Sequence, residues 1–394
     1  MANSSRPDIA FSFERTFASD DASAESVSHM QPTPPLPFAF PSTPQRPNVQ
    51  VVRWGIIGCG DVTEVKSGPG FHHAERSRLV AVMRRNRELA ADYARRHNIP
   101  RWYDCAEQLI ADPEVDAVYI ATPPDSHLHY ALQVAAAGKP AYVEKPMARS
   151  AAECDRMVAA FHERGVPLYV AYYRRSLPRF CQVKCWLSTG TIGRITGADY
   201  HFASSAFRSS AGWRTNVTTA GAGLFLDLGS HALDLLDFFL GPIEHVQGRA
   251  VNCATPQDAE DSVALHFSAG GVLGAATWNF ASGVARDVCR ITGTEGCIEY
   301  STFDNVPLRL TTEKGTESVE IAHPTHVQQP LIQQVVDDLL GRDQCPSTGI
   351  SARRTSLVMD TALTAYYGDR SGPFWDSPSA WPGRHGANAG KAGA

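Results

Sequence analysis

Apolar and polar positions along this 394-residue chain fall into two rhythms. From Val51 to about residue 172, short apolar runs alternate with amphipathic stretches. The runs are VVRWGIIG (51–58), RLVAVM (78–83), DAVYIAT (116–122), PAYVE (140–144) and VPLYVAY (166–172). Helical spacing occupies 87–97, 105–111, 125–137 and 150–164 between them. Apolar strands separated by helices predict βαβ units and a parallel sheet buried on both faces. After residue 173 the rhythm changes. A helix over 177–188 leads to a strand near 194–202 and a very apolar helix over 222–240. Strands follow at 243–252, 261–268, 271–280, 285–293, 296–301 and 306–312. Several are joined by glycine turns such as Ala269-Gly270-Gly271 and Thr294-Glu295-Gly296, which predicts antiparallel pairing. Helices over 327–341 and 350–367 close the chain. The expected fold is α/β: a parallel-sheet domain at 50–172, then an α+β domain at 173–370 with a large, mostly antiparallel open sheet.

The ends read differently. The first 50 residues hold 8 of the 26 prolines and no Gly, Cys or Trp. The stretch QPTPPLPFAFPSTPQRP (31–47) cannot form a helix or a central strand, because proline lacks the donor and fixes φ. Residues 1–49 are therefore expected to be a disordered, dispensable extension, with Met30 a candidate alternative start. No basic segment followed by an apolar stretch marks a secretory signal. Asp8, Glu14, Asp20, Asp21 and Glu25 outnumber Arg6, Arg15 and Arg46, which argues against an organelle transit peptide. The last 24 residues, 371–394, are rich in Gly, Pro and Ala and are expected to be loose.

Charge and cysteine content narrow the function classes. A net charge of −5 excludes a whole-chain basic field for nucleic acid. No apolar run approaches the roughly 18 residues that cross a bilayer. Nine cysteines without framework spacing read as buried free thiols of a reducing compartment, the cytoplasm. Cys181 and Cys185 stand four apart, but no second pair or nearby His completes a metal site, and none is expected.

Gly58-Cys59-Gly60-Asp61-Val62-Thr63 follows the first strand directly. Glycines there let a backbone approach a pyrophosphate resting on a helix N-terminus, so Gly58, Gly60, Asp61 and Val62 are candidate dinucleotide contacts of a Rossmann domain. The third fingerprint position is Thr63 rather than Gly or Ala. A mononucleotide loop over Gly60–Ser67 fails at Val65, where glycine is required, leaving Lys66 as a solvated lysine on the first helix or its loop. At the end of the second strand, NAD-binding folds place an acid on the ribose hydroxyls. Here the chain reads Val82-Met83-Arg84-Arg85-Asn86. Arg84 and Arg85 suit a 2′-phosphate, so NADP(H) is expected in preference to NAD(H), with NAD(H) also accepted. The competing reading is two ordinary surface arginines in a basic run that continues with Arg87.

These segments together resemble the Gfo/Idh/MocA oxidoreductases. The match rests on VVRWGIIGCGDV, AVYIATPPDSH, YVEKP and GAGLFLDLGSHALDLLDFFLG, and runs over residues 51–370. Glu144-Lys145-Pro146, directly after the strand at 140–144, is its most specific piece. The resemblance implies a Rossmann domain followed by an α/β domain with a large sheet. It implies redox chemistry on sugars, polyols or related carbinols with NAD(P), and a homo-oligomer (dimer or tetramer) joined through the second sheet. It also implies catalytic roles for an acid and a histidine in the D-x-x-x-H arrangement of Asp227 and His231, together with Lys145, and places Thr122 and Pro123 against the nicotinamide ribose. One family member clasps its neighbour with a proline-rich arm, a role open to residues 31–47.

Residue chemistry fills in the roles. Lys145 sits at the carboxyl ends of the strands, where open α/β sheets bind ligands, with Glu144 expected to hold it by an ion pair. Asp227 and His231 are spaced i, i+4, on one face of an apolar helix, where unpaired polar groups are costly. His231 is assigned as general acid/base and Asp227 as the group that orients it, with Asp234 extending the stripe. A purely structural pair, or a metal site from these three residues, are the competing readings. His127 is expected to start a helix and touch the cofactor. Tyr172, Tyr173 and Arg174 are expected to line the substrate cleft, with Trp213 and Arg214 on a lid over 203–223. An arginine there suits a polyhydroxylated or anionic substrate. The expected activity is hydride transfer between nicotinamide and a carbinol or carbonyl carbon of a small molecule, with no nucleic acid or membrane partner. The alternatives are a non-catalytic NAD(P)-binding regulator, and a dehydrogenase of a non-sugar diol whose cleft would be lined by Tyr172, Tyr173, Phe207 and Trp213.

Overall fold

The computed structural model describes residues 46–205 and 212–386. Residues 1–45, Phe207 and residues 387–394 lie outside the described residues, and with them most of the proline-rich extension. Six strands form the first sheet: β1 (Val52–Ile57), β2 (Ser77–Met83), β3 (Arg101–Tyr103), β4 (Ala117–Ile120), β5 (Ala141–Val143) and β6 (Leu168–Val170). They pair in the order β3-β2-β1-β4-β5-β6, all parallel. The central strands carry Ile56, Val82, Tyr119 and Val143 with no solvent exposure, as apolar runs covered on both faces require. β3 was not legible, because Arg-Trp-Tyr is short and half-buried at the sheet edge.

Helices α1 (Asp61–Val65), α2 (Gly68–His73), α3 (Arg87–Arg96), α4 (Ala106–Ala111), α5 (His127–Ala136) and α6 (Ala151–Arg164) connect the strands. A break separates α1 from α2, where Pro69 starts a new helix and a Cβ on Gly68 would meet Thr63 O at 2.1 Å.

The second domain opens with α7 (Pro178–Ser188) and builds an eight-stranded sheet. Its strands are β7 (Ile195–Ala203), β8 (Ile243–Val251), β9 (Ser262–Ala269), β10 (Val272–Asn279), β11 (Arg286–Gly293), β12 (Gly296–Tyr300), β13 (Leu308–Thr312) and β14 (Gly315–Val319). The order is β14-β13-β12-β11-β7-β10-β9-β8, antiparallel except for the β7–β10 pair. This is the α/β class with a mostly antiparallel second sheet that the periodicity predicts. β14 leaves no apolar mark in the sequence, because Gly-Thr-Glu-Ser-Val is an exposed polar edge. One face of the sheet packs against α8 (Ser230–Leu240) and α10 (Gly349–Tyr367) around Phe225, Phe239, Trp278 and Tyr300. The other face presents Asp199, His201, Ala264, His266, Thr277 and Asn279 to solvent.

Two boundaries differ from those read in the sequence. Helix α9 (Gln329–Leu339) returns to the first domain, burying Leu331, Ile332, Val335 and Val336 with Val52, Trp54 and Phe71. The segment 371–386 is not loose: Phe374 and Trp381 are buried, Trp381 stacks edge-on to Tyr367 at 4.7 Å, and its Nε1 donates to Phe374 O at 2.9 Å. Composition hid these anchors, because two buried aromatics fix a segment that glycine and proline make look mobile. All nine cysteines are free, but only Cys59, Cys154, Cys289 and Cys345 are buried, and Cys181, Cys185 and Cys253 are exposed. Among the described residues no helix is long and apolar enough to cross a membrane.

Candidate functional site

A cleft of about 800 Å³ opens at the carboxyl ends of the first sheet, between the two domains. Gly58 turns the chain there with φ +91°, and a Cβ on it would meet Thr122 Cγ2 at 2.6 Å. Its N–H and that of Cys59 donate to Met83 O at 2.9 and 3.2 Å, tying the turn to the end of β2. Thr63, the departure from the fingerprint, has a physical reason. Its Oγ1 accepts from Gly60 N–H at 2.9 Å and donates to Gly60 O at 2.8 Å, closing the turn from within. Burial pushes the Cys59 thiol up to about 11, so the sulfur beside the turn stays protonated.

Gly58, Gly60, Asp61, Val62, Arg84, Arg85, Thr122, Pro123, Glu144 and Lys145 all line this cleft. Arg87 is occupied, pairing with Asp104 at 3.2 Å and lying over Trp102. Among the described residues no carboxylate pairs with Arg84 or Arg85. The open turn and the two uncommitted guanidiniums fit a dinucleotide.

His127 does not join them. It is fully buried, with Nε2 2.7 Å from Thr122 O and Nδ1 3.1 Å from Pro146 O, so it fastens the Thr122 loop to the loop after Lys145. The expected cofactor contact is corrected to a structural role, because both ring edges face backbone carbonyls.

At the other end, Lys145 Nζ donates to Asp227 Oδ1 in a short ion pair and to Asp227 O at 3.0 Å. The expected Glu144–Lys145 ion pair is absent. The Glu144 carboxylate instead accepts from Tyr119 Oη at 2.5 Å, Gln328 Nε2 at 2.8 Å and the Lys145 backbone N–H at 3.1 Å. The expected Asp227–His231 pair is also absent. Asp227 stands on a π-helical turn, Phe225–Gly229, ahead of α8, which takes it off the i, i+4 register. Gly229 permits the turn, since a Cβ there would meet the Phe225 ring at 2.4 Å. Burial would raise the Asp227 carboxyl, but Lys145 and Arg214, the latter 3.5 Å away, hold it below its ordinary value.

His231 is 4% exposed, its Nδ1 has no partner, and the rings of Tyr172, Tyr173 and Phe303 lie edge-on to it at 6.2, 5.6 and 6.0 Å. Burial, then the charges of Lys145, Arg174 and Lys66, push the imidazole well below its usual range, so it is neutral. Tyr172 is corrected from cleft wall to core: it is fully buried against His231, whereas Tyr173 lines the cleft as expected. Arg174, Trp213 and Arg214 line it as expected. Asp234 turns away and pairs with Arg175 at 2.7 Å, so it does not extend the stripe.

A family model described as the oxidoreductase family with an NAD-binding Rossmann fold (GFO_IDH_MocA) matches residues 52–172. A second, the GFO/IDH/MocA C-terminal domain, matches residues 180–299. Oxidoreductase P35 of Formosa agariphila is 37% identical over 318 residues, covering 78% of this chain and 97% of the other. The chain belongs to the Gfo/Idh/MocA family. Mouse (Mus musculus) trans-1,2-dihydrobenzene-1,2-diol dehydrogenase is 34% identical over 253 residues, 62% of this chain and 73% of its own. Levoglucosan dehydrogenase in complex with NADH and levoglucosan shares the fold, with a TM-score of 0.71 at 22% identity over 80% of this chain and 98% of the other. The protein is an oxidoreductase with an NAD-binding Rossmann domain.

Within this Gfo/Idh/MocA site, three residues were not legible. Lys66, expected to be solvated, lines the cleft, and its charge reaches both Asp227 and His231. Phe303 follows β12, and Gln328 precedes α9. Nothing in their local pattern distinguishes them from ordinary loop residues.

The buried neutral His231 also sets a stability trend. Below about pH 6.5 the unfolded chain takes up a proton that native His231 refuses, so stability falls as pH falls. One such group lowers stability by up to about 1.4 kcal/mol per pH unit. Urea midpoints at pH 7.5 and 5.5 should show the loss, and His231→Gln should make it shallower. An equal loss in the variant would remove His231 as the cause.

Proposed function

We propose that this cleft prefers NADP(H) to NAD(H) and that the protein interconverts a hydroxyl and a carbonyl on a sugar, polyol or related small molecule. The observation that carries this reading is the Lys145–Asp227 pair in the cleft beside a neutral His231. When bound, the nicotinamide supplies the carbon that gives or takes the hydride. An ammonium has three N–H donors. Asp227 O and Oδ1 take two from Lys145, and the third is left for the substrate oxygen. Asp227 holds that ammonium and aims it. His231, neutral and therefore able to accept, takes the hydroxyl proton in oxidation and returns it in reduction. Arg84 and Arg85, without acidic partners, support the 2′-phosphate preference. Tyr173, Trp213 and Phe303 line the same cleft with aromatic rings, which favours a second reading as dehydrogenase of a cyclic diol. The exposed face of the second sheet, with its small and polar side chains, supports a homo-oligomer formed there.

The test is an absorbance screen of sugars, polyols, cyclic diols and 1,2-dicarbonyls with both cofactors. Turnover of at least one class, with higher kcat/KM for NADP(H), is expected. Tight cofactor binding without turnover across the panel would return the non-catalytic regulator.

A further inference from the structure

Five arginines are buried in the described residues: Arg174, Arg175, Arg179, Arg353 and Arg370. Four bond to protein oxygens, although Arg179 Nε, like Arg174 Nε, is buried without a partner. Arg175 binds Asp234, Asp237 and Pro346 O, and Arg179 binds Asp304 O, Asn305 Oδ1 and Val306 O. Arg353 binds Asp155, and Arg370 binds Asp360, Gly221 O and Arg149 O. Arg174 has none of this. It is 8% exposed, its Nε is buried without a partner, and its guanidinium lies over Phe303 at 4.7 Å and Tyr173 at 5.3 Å. Among the described residues no carboxylate or carbonyl bonds to it. It lines the cleft, and its charge is felt at His231.

The surroundings compound the imbalance. Lys66, Lys145, Arg174 and Arg214 line the His231 end of the cleft. Against them stand Asp227, which is committed to Lys145 and Arg214, and Glu144, which is committed to Tyr119 and Gln328. Arg179, whose charge opposes that of Arg174, is itself offset by Asp287 and Asp304, and His323, which feels both arginines, has its Nδ1 buried without a partner. A buried cation with no counter-charge is costly, and a polyol hydroxyl offsets that cost poorly. A planar carboxylate matches the guanidinium fork with two parallel charge-assisted bonds.

We propose that the substrate is a carboxylate-bearing carbinol of the sugar-acid type, its carboxylate seated on Arg174 while the reacting hydroxyl meets Lys145 and His231. This deepens the preceding reading and rests on it. Arg174 is then a specificity-determining residue, and Phe303 and Tyr173 hold its guanidinium flat toward the ligand.

The test compares D-glucuronate and D-gluconate with D-glucose and D-glucitol, using the full chain saturated with NADP+. Both kcat/KM and calorimetric Kd are read, with glucose 6-phosphate as a further probe. The carboxylates should be favoured at least tenfold, the scale of one charge-assisted pair. Arg174→Gln should collapse that ratio and Arg174→Lys retain part of it, with thermal denaturation and NADP+ affinity showing that both variants fold. Equal binding of acid and neutral sugars by the wild type, an unchanged ratio in Arg174→Gln, or preference for the phosphate would each overturn the proposal. Absence of turnover with every probe would count against the sugar-oxidoreductase reading alone. The calorimetric ratio of D-glucuronate to D-glucose would still decide this one.

Discussion

Lys145→Ala is expected to cut kcat by about 10²–10³-fold, the cost of removing one donor aimed at a substrate oxygen that develops charge, with NADPH affinity retained. Asp227 O and Oδ1 occupy two of the ammonium's N–H groups, which leaves the third to spare. Alanine removes that donor and strips Asp227 of its nearer counter-charge, leaving Arg214 at 3.5 Å. The Asp227 carboxyl should then rise from its depressed value, because the burial that Lys145 now outweighs would count for more. The Gly58–Thr63 turn and the arginines after β2 do not depend on Lys145, so the dinucleotide end should be unaffected. Steady-state turnover, an NADPH titration and a thermal melt separate these effects. Turnover at the wild-type rate would sink the assignment, and a large loss of NADPH affinity would move Lys145 from chemistry to cofactor binding. Asp227→Asn should lower kcat as well, since the amide holds Lys145 without neutralising it.

The second large effect concerns cofactor choice. Arg84→Ala and Arg85→Ala together should lower kcat/KM for NADPH by about 10–100-fold, the size of lost charge-assisted bonds to phosphate. The NADH value should change far less, because NADH has no phosphate there to lose. Arg87 is the internal control. It lies in the same basic run but is committed to Asp104 and Trp102, so Arg87→Ala should not alter the NADPH/NADH ratio. Wild-type protein that turns over NADH as efficiently as NADPH would end the argument at once, as would an unchanged ratio in the double variant.

What could be read from the chain was whatever depends on near neighbours. Period-two apolar runs and helical spacing located all but two short edge strands, β3 and β14, since burial leaves a mark every second or every third to fourth residue. The Gly58–Gly60 turn, the missing acid at Arg84-Arg85 and the E-K-P segment were legible for the same reason: their chemistry sits within a few consecutive residues.

The pairings inside the site were not legible, and several expectations about them changed. Glu144 and Lys145 are adjacent, yet the glutamate turns to Tyr119 and Gln328 while the lysine crosses 82 residues to Asp227. Asp227 and His231 are four apart, yet one π-helical turn separates their roles. Tyr172 and Tyr173 are chemically equal in sequence, yet one is core and the other cleft wall. Lys66, Phe303 and Gln328 reach the cleft from three distant segments. A polar side chain takes the partner that removes most of its desolvation cost, and that partner is set by which segments meet in space. The sequence by itself determined the two domains, the dinucleotide turn and the residue types available for chemistry. Tertiary structure decided which of them face one another, because those distances exist only once both sheets are packed.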